Sequence, residues 1–297
     1  MDGSMYEIRT HFLGLVIFLA ILLPPRAAIA SSVCFFESAL IETLQDAVKK
    51  DYARLALEAA STPPPPFEKV VRPTAPELYS IILRTTGPSR AIFVVFQGDG
   101  FAAERMAVDL VPLTSQGFTV LVQDYRGLGK STGTPSFRAS VEDAHAWIEE
   151  IRARQSNEAQ PIVYYGTSFG GVALLSALTE IRSNEIVVLD GVPDHLPPLL
   201  LCRGKYYPTT AIKAIPGIDK VKTRLIVVSS QNDTKAGPDA MSGLLKYALR
   251  IGATSRVVRG LAHPFEDNDD VPSRLATILS LISPVLTPSP VGQTDAT

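Results

Sequence analysis

Residues 161–178 read as a short strand, a sharp turn and a helix, with one serine held between glycines at the turn. Pro161-Ile162-Val163-Tyr164-Tyr165 is a β-branched and aromatic run that fits a buried strand. Gly166-Thr167-Ser168-Phe169-Gly170 follows, and Gly171-Val172-Ala173-Leu174-Leu175-Ser176-Ala177-Leu178 is small, apolar and suited to a helix. So sharp a turn strains the serine backbone. It also brings strand and helix so close that a Cβ at the glycine positions would clash. The serine hydroxyl is thereby exposed at a helix start. The backbone N–H of Phe169 is left available to a negatively charged oxygen, helped by the helix dipole. The bare G-x-S-x-G spacing is weak, and the strand before it and the helix after it carry the information. The bland reading is a glycine-rich turn with an incidental serine.

A serine hydroxyl needs a base to become a nucleophile. The chain has four histidines: His11, His145, His195 and His263. His11 flanks an N-terminal apolar run. His145 lies beside a helical stripe of Val141, Ala144, Ile148 and Ile151 and reads as a boundary residue. His263 follows the strand-like Val257-Val258 in a loop with Gly260, a position from which a base can reach across a sheet edge. It is the favoured base, and His195, after Asp190-Gly191-Val192, is the alternative. A base of this kind needs an acid to fix its tautomer. Asp233 sits in the loop beyond the strand-like Thr223–Ser230, and Asp190 ends the preceding strand-like run Ile186–Leu189. An Asp after a strand is commonly a turn former or helix cap. The chain order Ser168, Asp233, His263 favours Asp233 and leaves Asp190 as the alternative acid.

With these residues in view, the chain resembles the α/β-hydrolase superfamily over about residues 78 to 286. Asp124-Tyr125-Arg126-Gly127-Leu128-Gly129-Lys130-Ser131 is similar to that family's D-x-R-G-x-G-x-S loop, and Gln97-Gly98-Asp99 stands where many members carry His-Gly-x. The resemblance implies a mostly parallel central sheet with helices on both faces. It also implies a short cap after the strand ending near Asp190. By the same resemblance the catalytic residues are Ser168, Asp233 and His263, and the oxyanion is held by the backbone N–H groups of Phe169 and Asp99. Gln97 in place of the usual histidine, and a carboxylate at Asp99, are departures. The expected activity is that of a serine hydrolase of the esterase, lipase or peptidase kind. It acts on an acyl substrate, with a carboxylic ester first and peptidase, thioesterase or acyltransferase chemistry as alternatives, and no metal or cofactor is called for.

A different class competes for part of the same stretch. Gly98-Asp99-Gly100-Phe101-Ala102-Ala103 fits G-x-G-x-x-A, and Asp124 ends the next strand. That is the outline of a dinucleotide-binding unit in an oxidoreductase, with Asp124 on a ribose hydroxyl. It leaves Ser168, Asp233 and His263 unexplained. A non-catalytic binding protein on the hydrolase fold is a further alternative. Gly129-Lys130-Ser131 lacks the upstream glycine of a P-loop.

The 297 residues fit one large domain with additions, 46% hydrophobic content permits a substantial core, and a net charge of -2 gives no reason to expect nucleic acid. Residues 12–23 are apolar but short for a membrane span. With Ala28-Ile29-Ala30 behind them, residues 1–30 read as a secretory signal and the protein as exported, to the periplasm or outside. An uncleaved N-terminal anchor is the alternative. Residues 31–66 read as a helix and a spacer. The helix carries Leu40, Leu44, Val48, Tyr52 and Leu55 as a docking stripe, and Pro63–Pro66 forms the spacer. Residues 67–286 form the main domain and 287–297 a disordered tail. Cys34 and Cys202, the only cysteines, would be free to pair in an oxidising compartment. Leu199–Leu201 either line an acyl pocket under a cap or pack on the core.

Overall fold

The computed structural model describes residues 27–59, 67–71, 76–98, 100–155, 160–194 and 208–286, the side chains of 27–40, 57, 59, 208 and 209 excepted. Helix α1 (Ala27–Ala59) precedes β1 (Glu68–Val71), β2 (Tyr79–Leu83) and β3 (Ala91–Phe96). Then come α2 (Ala103–Leu110), α3 (Pro112–Ser115), β4 (Phe118–Gln123), α4 (Phe137–Arg154), β5 (Ile162–Thr167), α5 (Ser168–Ala177) and β6 (Glu185–Asp190). The chain continues through α6 (Pro208–Ala214), β7 (Leu225–Ser230), α7 (Ser242–Ile251), β8 (Thr254–Val258) and α8 (Val271–Leu286).

The eight strands form one sheet in the order β1-β2-β4-β3-β5-β6-β7-β8. Strands β3 to β8 run parallel, and β2 is antiparallel to both of its neighbours. β5, β6 and β7 are buried along their whole length, which is why their sequences are unbroken β-branched and aromatic runs rather than alternating ones. Successive side chains still serve opposite faces. Phe96 and Tyr164 join the layer under α4, α5, α6 and α7, whereas Phe93, Val95 and Tyr165 join the layer under α2, α3 and α8. β1 was not legible in the sequence. It is an edge strand with Glu68, Lys69 and Val71 exposed, and hydrogen bonding to β2 rather than burial defines it.

The chain reverses its direction of travel across the sheet at β3. β4 lies on one side and β5 on the other, with Phe96 opposite Gly166. Open α/β sheets bind ligands outside the carboxyl ends of the strands at such a point. The loops after β3 and β5 therefore meet where a site is expected.

Helix α1 runs without a break through residue 30, and Leu44, Val48 and Tyr52 of its expected apolar stripe dock on this same edge. Leu44 and Val48 are buried, and Leu44 packs with Tyr125, Leu128 and Phe169. The Asp51 carboxylate accepts from Ala102 N–H at 3.1 Å, and the Tyr52 hydroxyl donates to Asp124 at 2.6 Å. Cys34 lies in the part of α1 whose side chains are not described. Cys202, Leu199–Leu201, residues 1–26 and 287–297 lie outside the described residues.

At the opposite edge, Arg152 of α4 donates to both oxygens of Glu185 at 2.6 and 2.8 Å, and Tyr164 adds a third bond at 3.0 Å. Both charged side chains are shielded from water. Removing one member of such a pair strands the other in the interior. Arg152→Met should therefore cost about 3–5 kcal/mol in urea unfolding. A loss below about 1 kcal/mol, the range of exposed pairs, would show that water reaches Glu185.

Candidate active site

The turn between β5 and α5 has the geometry that its glycines foretell. Ser168 has φ 47, one of two non-glycine residues with positive φ among the described residues. A left-handed serine costs about 1–3 kcal/mol and persists only where its surroundings enforce it. Here they do. A Cβ at Gly166 would lie 2.6 Å from Gly171 Cα, a Cβ at Gly170 would overlap the carbonyl oxygens of Phe96 and Gln97, and one at Gly171 would strike Val192. Ser168 is half-buried at the first turn of α5, and Phe169 begins the run of N–H groups at that helix end. The Phe169 ring meets Tyr125 and Phe137 edge-on, at 5.7 and 5.8 Å between centroids.

The loop after β3 passes directly beside this turn. A Cβ at Gly98 would lie 3.3 Å from Ser168 Cβ and 3.6 Å from Thr167 O. Tyr125 donates to Gln97 O at 2.8 Å, and Gln97 donates from Nε2 to Phe101 O at 2.9 Å, so the loop is held from both ends. Gln97, where the resembling family commonly has histidine, thus closes the loop on itself. Asp99, the expected second oxyanion donor, lies outside the described residues.

The acid and base candidates meet. Asp233, beyond β7, places Oδ2 2.8 Å from His263 Nδ1. Its Oδ1 accepts from the N–H groups of Lys235 and Ala236 at 2.8 and 2.7 Å. That leaves one oxygen for the imidazole and orients it. Burial acts to raise the Asp233 pKa, but the hydrogen bond and charge of His263 and the two backbone N–H groups prevail and hold it below the usual carboxylate range. His263 is itself buried. The end of β6 lies against this pair, since a Cβ on Gly191 would sit 2.7 Å from Pro264 Cδ and 3.3 Å from Asp233 Oδ2. β6 also pairs with β5 through Thr167 and Asp190. Ser168, Asp233 and His263 thus follow the carboxyl ends of β5, β7 and β8, on one rim of parallel strands.

The alternative acid has another employer. Asp190 accepts from Tyr165 at 2.7 Å and from Arg274 Nη1 at 2.8 Å to each oxygen. His195 lies outside the described residues. His145 sits on α4 with Nδ1 3.1 Å from Ala177 O, a packing role.

The dinucleotide reading requires Asp124 and the start of α2 to be free, and neither is. Asp124 is fully buried and accepts from Ala103 N–H at 2.8 Å, Lys130 N–H at 2.9 Å and the Tyr52 hydroxyl. Its carboxylate and that of Asp51 therefore occupy the helix N-terminus where a pyrophosphate would bind. A Cβ at Gly129 would collide with Asp124, so the second glycine of this loop exists to let the chain wrap its own aspartate. Arg126 ties the loop to α4 through Asp143, with contacts down to 2.5 Å. Gly98, Gly100 and Asp124 therefore do not form the expected nucleotide cradle. The glycine-rich loop and its aspartate are scaffold beside Ser168. Among the described residues no cluster of three or more His, Cys, Asp or Glu is arranged to hold a metal, and no helix is long and apolar enough to cross a membrane.

Two residues at the rim were not singled out from the sequence, Tyr125 and Arg274. Arg274 left a signal. It falls on the apolar stripe of α8 with Val271, Ile278 and Ile282, where a cation has no place unless it is paired.

Sheet order, the reversal at β3 and the turn at Ser168 together define the α/β-hydrolase fold, and this chain has it. Residues 87–190 match the family model described as serine aminopeptidase, S33. Solved structures agree. An α/β serine hydrolase without lid from Xanthomonas campestris aligns at TM-score 0.55 and 15% identity, over 76% of this chain and 98% of that one. A Pyrococcus furiosus esterase aligns at 0.58 and 15%, over 75% and 93%. Among curated proteins, YfhR of Escherichia coli O157:H7 is 34% identical over 36% of this chain and 39% of its own length. Rv2307c of Mycobacterium tuberculosis is 26% identical over 60% and 65%. The chain thus spans about two fifths to two thirds of the length of these relatives.

Because the folded Asp233 pKa is below the unfolded value of about 3.9, its contribution to stability is complete above that pH and lost as pH falls through the folded value. The gap in urea stability between the native protein and Asp233→Asn should therefore narrow as the pH falls below about 4. A gap that stays flat or widens would contradict the bonding just described.

Proposed function

We propose that the protein is a serine hydrolase that cleaves an acyl bond, a carboxylic ester first, through an acyl-enzyme on Ser168. The observation that carries this reading is a strained non-glycine Ser168 on the same rim as a buried carboxylate–imidazole pair at 2.8 Å. Ser168 Oγ attacks the acyl carbonyl, and His263 Nε2 takes its proton. Asp233 holds the Nδ1–H tautomer and stabilises the imidazolium. The Phe169 N–H, with a second N–H at Asp99, receives the charge that develops on the carbonyl oxygen. His263 then protonates the leaving group, and water attacks the acyl-enzyme by the same route in reverse. The groups at hand suffice for this sequence without a cofactor or metal.

An ester is placed first because it demands least of the site, the leaving alkoxide being easier to expel than an amide nitrogen. Names of structural neighbours, a Pyrococcus furiosus esterase and a Bacillus coagulans carboxyl esterase, support it. A second reading, a peptidase on the same triad, is favoured by the description of the matching family model. The expected partner is a small acyl substrate and not nucleic acid. Export, to the periplasm or outside the cell, rests on residues 1–30 as a secretory signal. N-terminal sequencing of the mature protein tests it, since an intact Met1 in exported protein would refute cleavage.

A fluorophosphonate probe should label the protein at Ser168. Short-chain aryl esters should be hydrolysed faster than aminoacyl anilides. Ser168→Ala should lose at least about 10³-fold in turnover while keeping its unfolding midpoint. Faster cleavage of anilides would select the peptidase reading. An unlabelled, folded protein without turnover would leave a binding scaffold.

A further inference from the structure

We propose that Arg274 is a positioning residue for His263, fixing the peptide that precedes it, and that Asp190 is the counter-ion that holds Arg274 in place. The inference rests on His263 being the base.

Arg274 is 1% exposed, on α8 beneath the rim. Its guanidinium fork spans three elements. Nη1 donates to both oxygens of Asp190 at the end of β6, each at 2.8 Å. Nη2 donates to Ser230 Oγ at the end of β7 at 3.0 Å and to Ala262 O at 2.6 Å. Ala262 immediately precedes His263. The other side of the same residue is also held, since Ala262 N–H donates to Asp270 Oδ2 at 2.7 Å. Asp270 closes the short turn Asn268–Asp270 that leads into α8. Both polar backbone groups of Ala262 are therefore fixed by charged side chains, one in the first turns of α8 and one in the turn just before it. The chain just beyond is under constraint too. Phe265 has φ 62, is buried, and stacks edge-on against Tyr165, whose hydroxyl donates to Asp190. Asp190, Tyr165 and Arg274 form one buried network ending on the peptide before the imidazole.

Packing alone does not call for this arrangement. An apolar side chain on the stripe of α8 would fill the space without desolvating a charge. A lysine would satisfy Asp190 as a point charge but has no second arm to reach Ala262 O. What arginine supplies is a rigid fork joining the β6 end to the base loop. A small displacement of a catalytic group costs on the order of 10²-fold in rate.

The test compares Arg274→Lys with Ser230→Ala, a control that removes one bond of Arg274 but leaves the bond to Ala262. Both are measured for kcat and KM on a short aryl ester, for the rate of fluorophosphonate labelling, and for thermal midpoint. Arg274→Lys should lose about 10- to 100-fold in kcat and in labelling rate, with KM within about threefold. Ser230→Ala should stay within about threefold in all three. An Arg274→Lys protein that labels and turns over like the native one overturns the inference. So does a loss of rate in both variants that simply follows thermal midpoint. If Arg274→Lys does not fold, Asp270→Ala releases the N–H side of the same residue and should show the same kcat loss at unchanged KM; undiminished kcat there overturns the inference. A native protein that neither labels nor turns over refutes the triad itself, whereas a native protein that labels beside an unaffected Arg274→Lys refutes only the role given to Arg274.

Discussion

The close crossing of β5 and α5 is the constraint on which the rest of the site depends. Gly166 and Gly171 touch across it, and Gly170 lies against the carbonyls of Phe96 and Gln97. No side chain fits between these backbones, so the residue at the apex has one conformation open to it. Ser168 takes it at φ 47. The strain of about 1–3 kcal/mol is offset by the packing of a fully buried strand before it and a largely buried helix after it. The same contact draws the loop after β3 against the serine, which is where a developing oxyanion would need its second donor.

The rim is built from charges that are almost all spoken for. Asp124 is consumed by the N-terminus of α2, its own glycine loop and Tyr52. Asp190 is consumed by Arg274 and Tyr165. Asp233 keeps one oxygen for an imidazole after two backbone N–H groups have taken the other. Three buried aspartates at the carboxyl ends of β4, β6 and β7 thus do different work. Their partners, rather than their positions in the chain, decide which one is left to hold an imidazole. Helix α1 adds a contribution from outside the sheet, capping α2 through Asp51 and packing Leu44 beside Phe169.

Much of this was readable in the sequence. The runs Pro161–Tyr165, Ile186–Leu189 and Thr223–Ser230 signal buried parallel strands because both faces of such strands are covered. G-x-S-x-G signals the turn because sterics permit little else. Order along the chain singled out Asp233 and His263. What stayed hidden is what depends on partners distant in sequence. Asp124 fits a ribose-binding residue and a loop anchor equally well until Tyr52, Ala103 and Lys130 are seen around it. Asp190 remains a rival acid until Arg274, 84 residues on, is found against it. β1 escaped notice because an exposed edge strand carries no burial pattern.

The central claim is that His263 bridges Asp233 and Ser168. It is tested most directly by the low-field proton NMR signal of the His263 Nδ1–H. The account predicts a strongly downfield, exchange-protected resonance that is absent in Asp233→Asn and shifts when Ser168 is phosphonylated. A resonance indifferent to the modification of Ser168 would place the imidazole away from the serine and contradict the account.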